Sequence, residues 1–157
     1  MSGESNCVFC KIVAGDVPSY NVWENETHTA FLTLWPNTEG FTVVIPKEHA
    51  PSYIFEASDE VMHSTIDAAK EVSLQIDRAF DDVARCAMIF EGYGVDHLHA
   101  KLVPLHGTAS LEEWKAINSK DMKDFYDSYP GYVSSHDSHQ MEADKLEEVA
   151  EKIRSAA

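Results

Sequence analysis

Two imidazoles and an ammonium stand at alternate positions in Val95-Asp96-His97-Leu98-His99-Ala100-Lys101-Leu102-Val103-Pro104. Alternation over this length reads as a half-buried strand, with Leu98, Ala100 and Leu102 toward a core and His97, His99, Lys101 and Val103 toward a cleft. On such a strand the three polar groups stand roughly 6.5–7 Å apart. Titratable groups that close depress one another's protonation and attract anions, so a phosphate is the natural guest. A neutral imidazole near its ordinary pKa of ~6.5 is also a competent nucleophile. The Gly-rich turn Glu91-Gly92-Tyr93-Gly94 leads into the stretch. The competing reading is a surface strand whose polar positions happen to be histidine.

A second set of chemistry-bearing residues lies near the start. Cys7 and Cys10 form Cys-x-x-Cys, which in a cytosolic chain points to metal or redox chemistry more than to a structural disulfide. The third cysteine, Cys86, lies in an apolar run and reads as a small buried residue. Met1 to Asn6 is polar and acidic and lacks the basic and apolar regions of a signal peptide. No run of about eighteen apolar residues is present, so no membrane-spanning helix is expected. A cytoplasmic protein with no membrane partner follows. The net charge of −15 disfavours nucleic acid as a partner, because a phosphate polymer needs a basic footprint. A small anionic ligand is still allowed, held by local groups against the global field.

These residues need a scaffold, and 157 residues suffice for one domain with a core. Cys7 to Val13 reads as a short helix with Phe9, Ile12 and Val13 on its apolar face, ended by the turn residues Gly15 to Ser19. Strands are expected over Tyr20–Glu24, His28–Leu34 and Phe41–Pro46, with Trp35 to Gly40 as a break. Ser58 or Asp59 caps a long helix to about Phe80, whose Met62, Ile66, Ala69, Val72, Ile76 and Phe80 keep steps of three and four. Arg85–Glu91 and the His-bearing stretch supply two more strands. Three strands, a helix and two strands describe an α+β fold with an antiparallel sheet. Beyond Pro104, Ser110 to Ile117 carries a capping box with Glu113. Tyr126–Ser138 reads as an ordered loop, with His136 and His139 exposed near its end, and Met141–Arg154 as an amphipathic helix. The expected organisation is a single domain over 1–157, with its core at about 7–107 and a C-terminal extension from about 108.

Three motifs in order carry a resemblance: Cys7-Val-Phe-Cys-Lys-Ile, Gly40-Phe-Thr-Val-Val-Ile-Pro-Lys-Glu-His49, and His97-Leu-His99-Ala-Lys-Leu-Val-Pro104. Over residues 7 to about 107 the chain resembles the histidine triad (HIT) proteins, homodimeric nucleotide hydrolases and transferases. The resemblance implies a HIT-like fold, a phosphoanhydride or phosphoramidate substrate, and a nucleotidyl-histidine intermediate resolved by water. It makes His99 the nucleophile, with His97 orienting it or assisting proton traffic and Lys101 contacting the phosphate. It places Phe9, Ile12, Phe31, Thr33 and Gly94 at the substrate. Some members bind zinc through the matching Cys7, Cys10, His49 and His97, and a site with four protein ligands is closed and structural. A homodimer through the long helix and the strand Arg85–Glu91 is also implied.

The chain departs from the family pattern at several points. Lys101 replaces the third histidine, Phe41 replaces a histidine after Gly40, and Phe90 replaces an asparagine before Glu91. Thr33 stands where the family has the carboxylate that holds ribose hydroxyls. A threonine cannot grip two hydroxyls as a carboxylate does. The second reading is therefore a catalytically weak module that binds a nucleotide or other phosphorylated ligand beside a structural zinc.

Overall fold

A computed structural model describes residues 6–109, 122–134 and 138–156, and the chain divides into two compact units, Met1–Glu113 and Trp114–Ala157. The first unit begins with α1 (Val8–Ala14), capped by the Cys7 thiol and closed by Gly15 in the left-handed region at φ 81°. Strands β1 (Asn21–Glu24), β2 (His28–Leu32) and β3 (Thr42–Pro46) follow, then a single 3-10 turn at Ile54–Glu56, helix α2 (Asp59–Ala79), and strands β4 (Cys86–Ile89) and β5 (Ala100–Pro104). The sheet order is β1-β2-β3-β5-β4 and every pairing is antiparallel, as the α+β expectation required.

Register decides what each face of the sheet carries. Ala30 lies opposite Val44, and Val44 opposite Ala100. This row of small and β-branched residues packs with Leu102 against Ala68, Ala69, Val72 and Ile76 of α2. Alanines on the helix let its axis come close to the sheet, and the apolar area removed from water is the main stabilising contribution. The next row is Phe31, Val43 and Lys101, again directly opposite one another, with Ile89 at the end. Because side chains alternate, this row faces away from α2. There Phe31, Val43 and Ile45 form a second core cluster, against which Phe9 and Ile12 of α1 pack. The ammonium of Lys101 thus stands on the face covered by the short helix.

His28 is one of the buried polar residues, almost wholly enclosed on β2. Thr65 Oγ1 donates to the Val61 carbonyl at 2.7 Å, so it accepts from His28 Nε2–H at 3.1 Å. His28 Nδ1 is left to accept from Thr27 Oγ1 at 2.8 Å. Burial lowers its pKa, consistent with a neutral ring locked in one tautomer. Cys86 is half-buried rather than buried, because it opens the edge strand. Its thiol points at Asp77 Oδ1 at 3.6 Å, and burial with that carboxylate pushes its pKa up to about 12.

The second unit contains α3 (Ala143–Arg154), preceded by a stretch without regular structure among its described residues. Arg154 pairs with Glu147 and Glu151 along one side of the helix. Leu146, Val149 and Ile153 are exposed. His139 is exposed, whereas His136 and the capping box at Ser110 lie outside the described residues. Among the described residues no helix is long and apolar enough to cross a membrane.

Candidate active site and metal centre

The segment before β5 is held from outside. Gly92 takes φ 69°, and a Cβ there would come within 3.1 Å of the Ser52 carbonyl oxygen, so any side chain would be both strained and crowded. Leu98 N–H donates to the Ala50 carbonyl at 2.9 Å, and Ser52 N–H donates to Asp96 Oδ1 at 3.2 Å. His97 N–H donates to the carbonyl of Val95, only two residues back, at 2.9 Å. The chain is bent there, so the strand expected from Val95 onward begins at Ala100. The bend has a chemical result: the two imidazoles do not share one cleft.

His97 is fully buried and turns toward α1. Its Nδ1 lies 3.4 Å from Cys7 Sγ and 3.5 Å from Cys10 Sγ, and His49 Nδ1 lies 3.4 Å from Cys10 Sγ. The four ligand atoms all lie within 4.8 Å of one another. Around a tetrahedral zinc, bond lengths near 2.3 Å to sulfur and 2.0–2.1 Å to nitrogen put neighbouring donors about 3.3–3.8 Å apart. The thiol–imidazole separations fall in that interval. The tautomer also fits: His97 Nε2–H donates to the Pro46 carbonyl at 2.9 Å, which leaves Nδ1 as a lone pair among the thiols. Burial is the main cause of its lowered pKa, opposed by that hydrogen bond and reinforced by His49 and His99.

His99 opens onto a different space. Its Nδ1–H donates to the His97 carbonyl at 2.7 Å, which fixes the tautomer and leaves Nε2 with the lone pair. Burial lowers its pKa, partly offset by that hydrogen bond, and the net lowering favours the neutral ring. It lines a cavity of about 320 Å³ between α1, the sheet and the turns beside them. The aromatic ring of Phe9 stands edge-on to His97 at 5.8 Å, to His99 at 5.5 Å and to Phe31 at 5.5 Å. One residue between the two cysteines thus touches both imidazoles.

Phe9, Ile12, Phe31, Thr33, His99 and Lys101 all line this cavity. Gly94 does not, although it takes φ 91° between Tyr93 and Val95, which do. His97 is absent from the lining, and what it offers His99 is its backbone carbonyl. Phe41 is absent too, since it lies one residue before β3, and its carbonyl accepts from Thr33 N–H at 3.1 Å. Lys101 is ion-paired with Glu91, and burial lowers its pKa. Sequence reasoning missed Trp35, Tyr93 and the Val17–Ser19 turn, which also line it, along with the apolar Val8, Leu32, Leu34, Val43 and Val95. Turn residues carry no periodicity, and the signal available was their position in the turns that follow α1, β2 and β4.

The HIT domain model matches residues 14–108. The protein hit of Bacillus subtilis is 35% identical over 106 residues, 65% of this chain and 72% of that protein. Adenosine 5'-monophosphoramidase hnt1 of Schizosaccharomyces pombe is 35% identical over 99 residues, 63% of this chain and 74% of that enzyme. Among solved structures, a Bacillus subtilis member of the HIT family superposes with TM-score 0.65 at 26% identity, covering 97% of each chain. A zinc-bound histidine triad family protein from Mycobacterium smegmatis gives TM-score 0.62 at 25% identity, covering 69% of this chain and 81% of that one. The matched span runs from the end of α1 to beyond β5, taking in the sheet and the His97–Lys101 segment, and on that basis the chain belongs to the HIT family.

Proposed function

We propose that this chain is a nucleotide hydrolase or transferase that opens a phosphoanhydride or phosphoramidate bond through a nucleotidyl-histidine at His99. One observation carries the reading: His99 Nδ1–H is tied to the His97 carbonyl, leaving a neutral Nε2 as the unprotonated nitrogen of a ring that lines an apolar cavity. Nε2 attacks the α-phosphorus, and the bond to the leaving group breaks. The leaving group departs with the electron pair and takes up a proton. The Lys101 ammonium lines the same cavity and faces the charge on the equatorial oxygens. Water then attacks phosphorus, the P–Nε2 bond breaks, and nucleoside monophosphate and a proton are released. The adenosine 5'-monophosphoramidase among the relatives supports the phosphoramidate arm. With adenosine 5'-phosphoramidate as probe, rapid quench and intact mass should find an adenylyl adduct on His99. His99→Ala should lose at least ~10³-fold in turnover with an unchanged melting temperature. Wild-type turnover in that variant sinks the assignment, and nucleotide binding without adduct or turnover supports the binding-module reading instead.

The proposed metal is zinc, held by Cys7, Cys10, His49 and His97 as a structural ion that leaves no open position for substrate. The proposed assembly is a two-fold homodimer through α2 and the β4 edge, where Met88 is 46% exposed on a strand with one side unpaired in the sheet. Sedimentation at micromolar protein should give twice the chain mass, and a monomeric mass contradicts it.

A further inference from the structure

The polar inventory of the cavity is short. Besides His99 and Lys101, the lining side chains that can hydrogen-bond are Ser19, Thr33, Tyr93 and Trp35. Among the described residues that line it there is no carboxylate and no carboxamide. Its other lining side chains are apolar. Thr33 is already engaged: Trp35 N–H donates to Thr33 Oγ1 at 3.3 Å, which closes a tight turn and occupies an acceptor position on that oxygen. Trp35 itself is 85% exposed and stands at the rim. A pair of vicinal hydroxyls needs acceptors for two protons, and a carboxylate supplies them with two oxygens. A single hydroxyl already serving a backbone N–H does not.

We infer that the cavity reads the organic part of its ligand as flat apolar surface and leaves the sugar hydroxyls unread. The substrate class is then a base- or aryl-bearing phosphate derivative in which ribose, deoxyribose and dideoxyribose are equivalent. The inference rests on the reading of this cavity as a nucleotide site. Sites built to hydrogen-bond a hydroxyl reject the analogue lacking it by large factors, because their own polar groups are left unpaired. Here the lining offers two further single hydroxyls, Ser19 and Tyr93, but no carboxylate that a missing pair of sugar hydroxyls would leave unpaired.

Calorimetric titration of the full chain with AMP and with 2',3'-dideoxy-AMP tests this. The expected ratio of dissociation constants is within about threefold. Thr33→Asp supplies the missing acceptors, and it should move the ratio by about tenfold or more in favour of AMP. Any repulsion between the new carboxylate and the phosphate acts on both ligands and cancels in the ratio. A wild-type preference for AMP of about tenfold or more overturns the inference, as does failure of both ligands to bind at millimolar concentration. If Thr33→Asp fails to fold, the wild-type ratio decides alone. Labelling of His99 by adenosine 5'-phosphoramidate is scored separately. A flat ratio without labelling upholds this inference and sinks the hydrolase reading, while labelling with a steep ratio does the reverse.

Discussion

His97 and His99 are two residues apart and belong to two regions built on opposite terms. Around His97 polar groups converge: two thiols and a carbonyl meet its ring nitrogens, and a second imidazole stands edge-on at 5.1 Å. Around His99 most of the neighbours are apolar, and a cation already paired with Glu91 supplies the charge. A converging donor set tolerates exchange poorly, since each group is positioned by the others and the loss of one leaves buried or half-buried polar groups short of a partner. An apolar cavity open to solvent tolerates exchanges that keep volume and shape. The departures at Thr33 and Lys101 fall in the cavity, and none falls in the cluster. These two departures thus lie in the apolar cavity and leave the four-residue cluster beside it intact.

The comparison is open to attack from both sides. The largest effect is expected from Cys7→Ser. Serine keeps the N-cap that the Cys7 thiol makes with Cys10 N–H at 3.5 Å, so the substitution isolates the missing ligand. Metal content should fall from about one zinc per chain to well below it. The melting temperature should drop by about 10 °C, since a ligand that binds only the folded chain stabilises by mass action. Elemental analysis and a thermal scan check this, and unchanged values in both would dissolve the distinction between the regions. Lys101→Met attacks the cavity side. It should lower kcat and kcat/KM together by about 10- to 100-fold while leaving zinc content alone. Wild-type kinetics would reduce Lys101 to a partner of Glu91.

The smallest effect lies outside both regions. His106 Nδ1–H donates to Asp82 at 3.0 and 3.1 Å, and its Nε2–H donates to the Glu39 carbonyl at 3.0 Å, which requires the imidazolium. The hydrogen bond to Glu39 first, then Asp82, raises the His106 pKa. A raised histidine pKa contributes stability that is fully present below the unfolded value of ~6.5 and is lost as pH rises through the folded value. The melting temperature of wild type should exceed that of His106→Gln near pH 6, and the gap should close by about pH 9. The gap is small because the pair is exposed. A gap that widens with pH would reverse the assignment of its protonation state.

The fold was legible wherever period and punctuation agreed. The steps of three and four in α2 and the β-branched run of β3 placed both elements to within one or two residues. The grouping of Cys7, Cys10, His49 and His97 came from motif spacing together with resemblance, and the fold brings the four together. What alternation could not show was the bend at Val95–His97. A period of two assigns residues to faces only while the backbone is extended, and His97 precedes the first paired residue, Ala100. The pairing of Lys101 with Glu91 was hidden for another reason. It depends on the β4–β5 register, in which Ile89 lies opposite Lys101, and register is decided by tertiary packing rather than by local pattern.

Helix α1 has seven residues, which is too short to persist in water by itself. It is fastened at Cys7 and Cys10, and between those points it lays Phe9 over Phe31 and both imidazoles. The roof of the cavity is therefore held by a clasp of two sulfurs together with the packing of Phe9 and Ile12. Oxidation of Cys7 and Cys10 to a disulfide would leave the sheet and α2 standing, yet it would withdraw both thiols from the imidazoles and unroof Phe31, Val43 and Ile45. An oxidised molecule would then present a sticky apolar face to its neighbours, with aggregation as the outward sign of a change confined to one short helix.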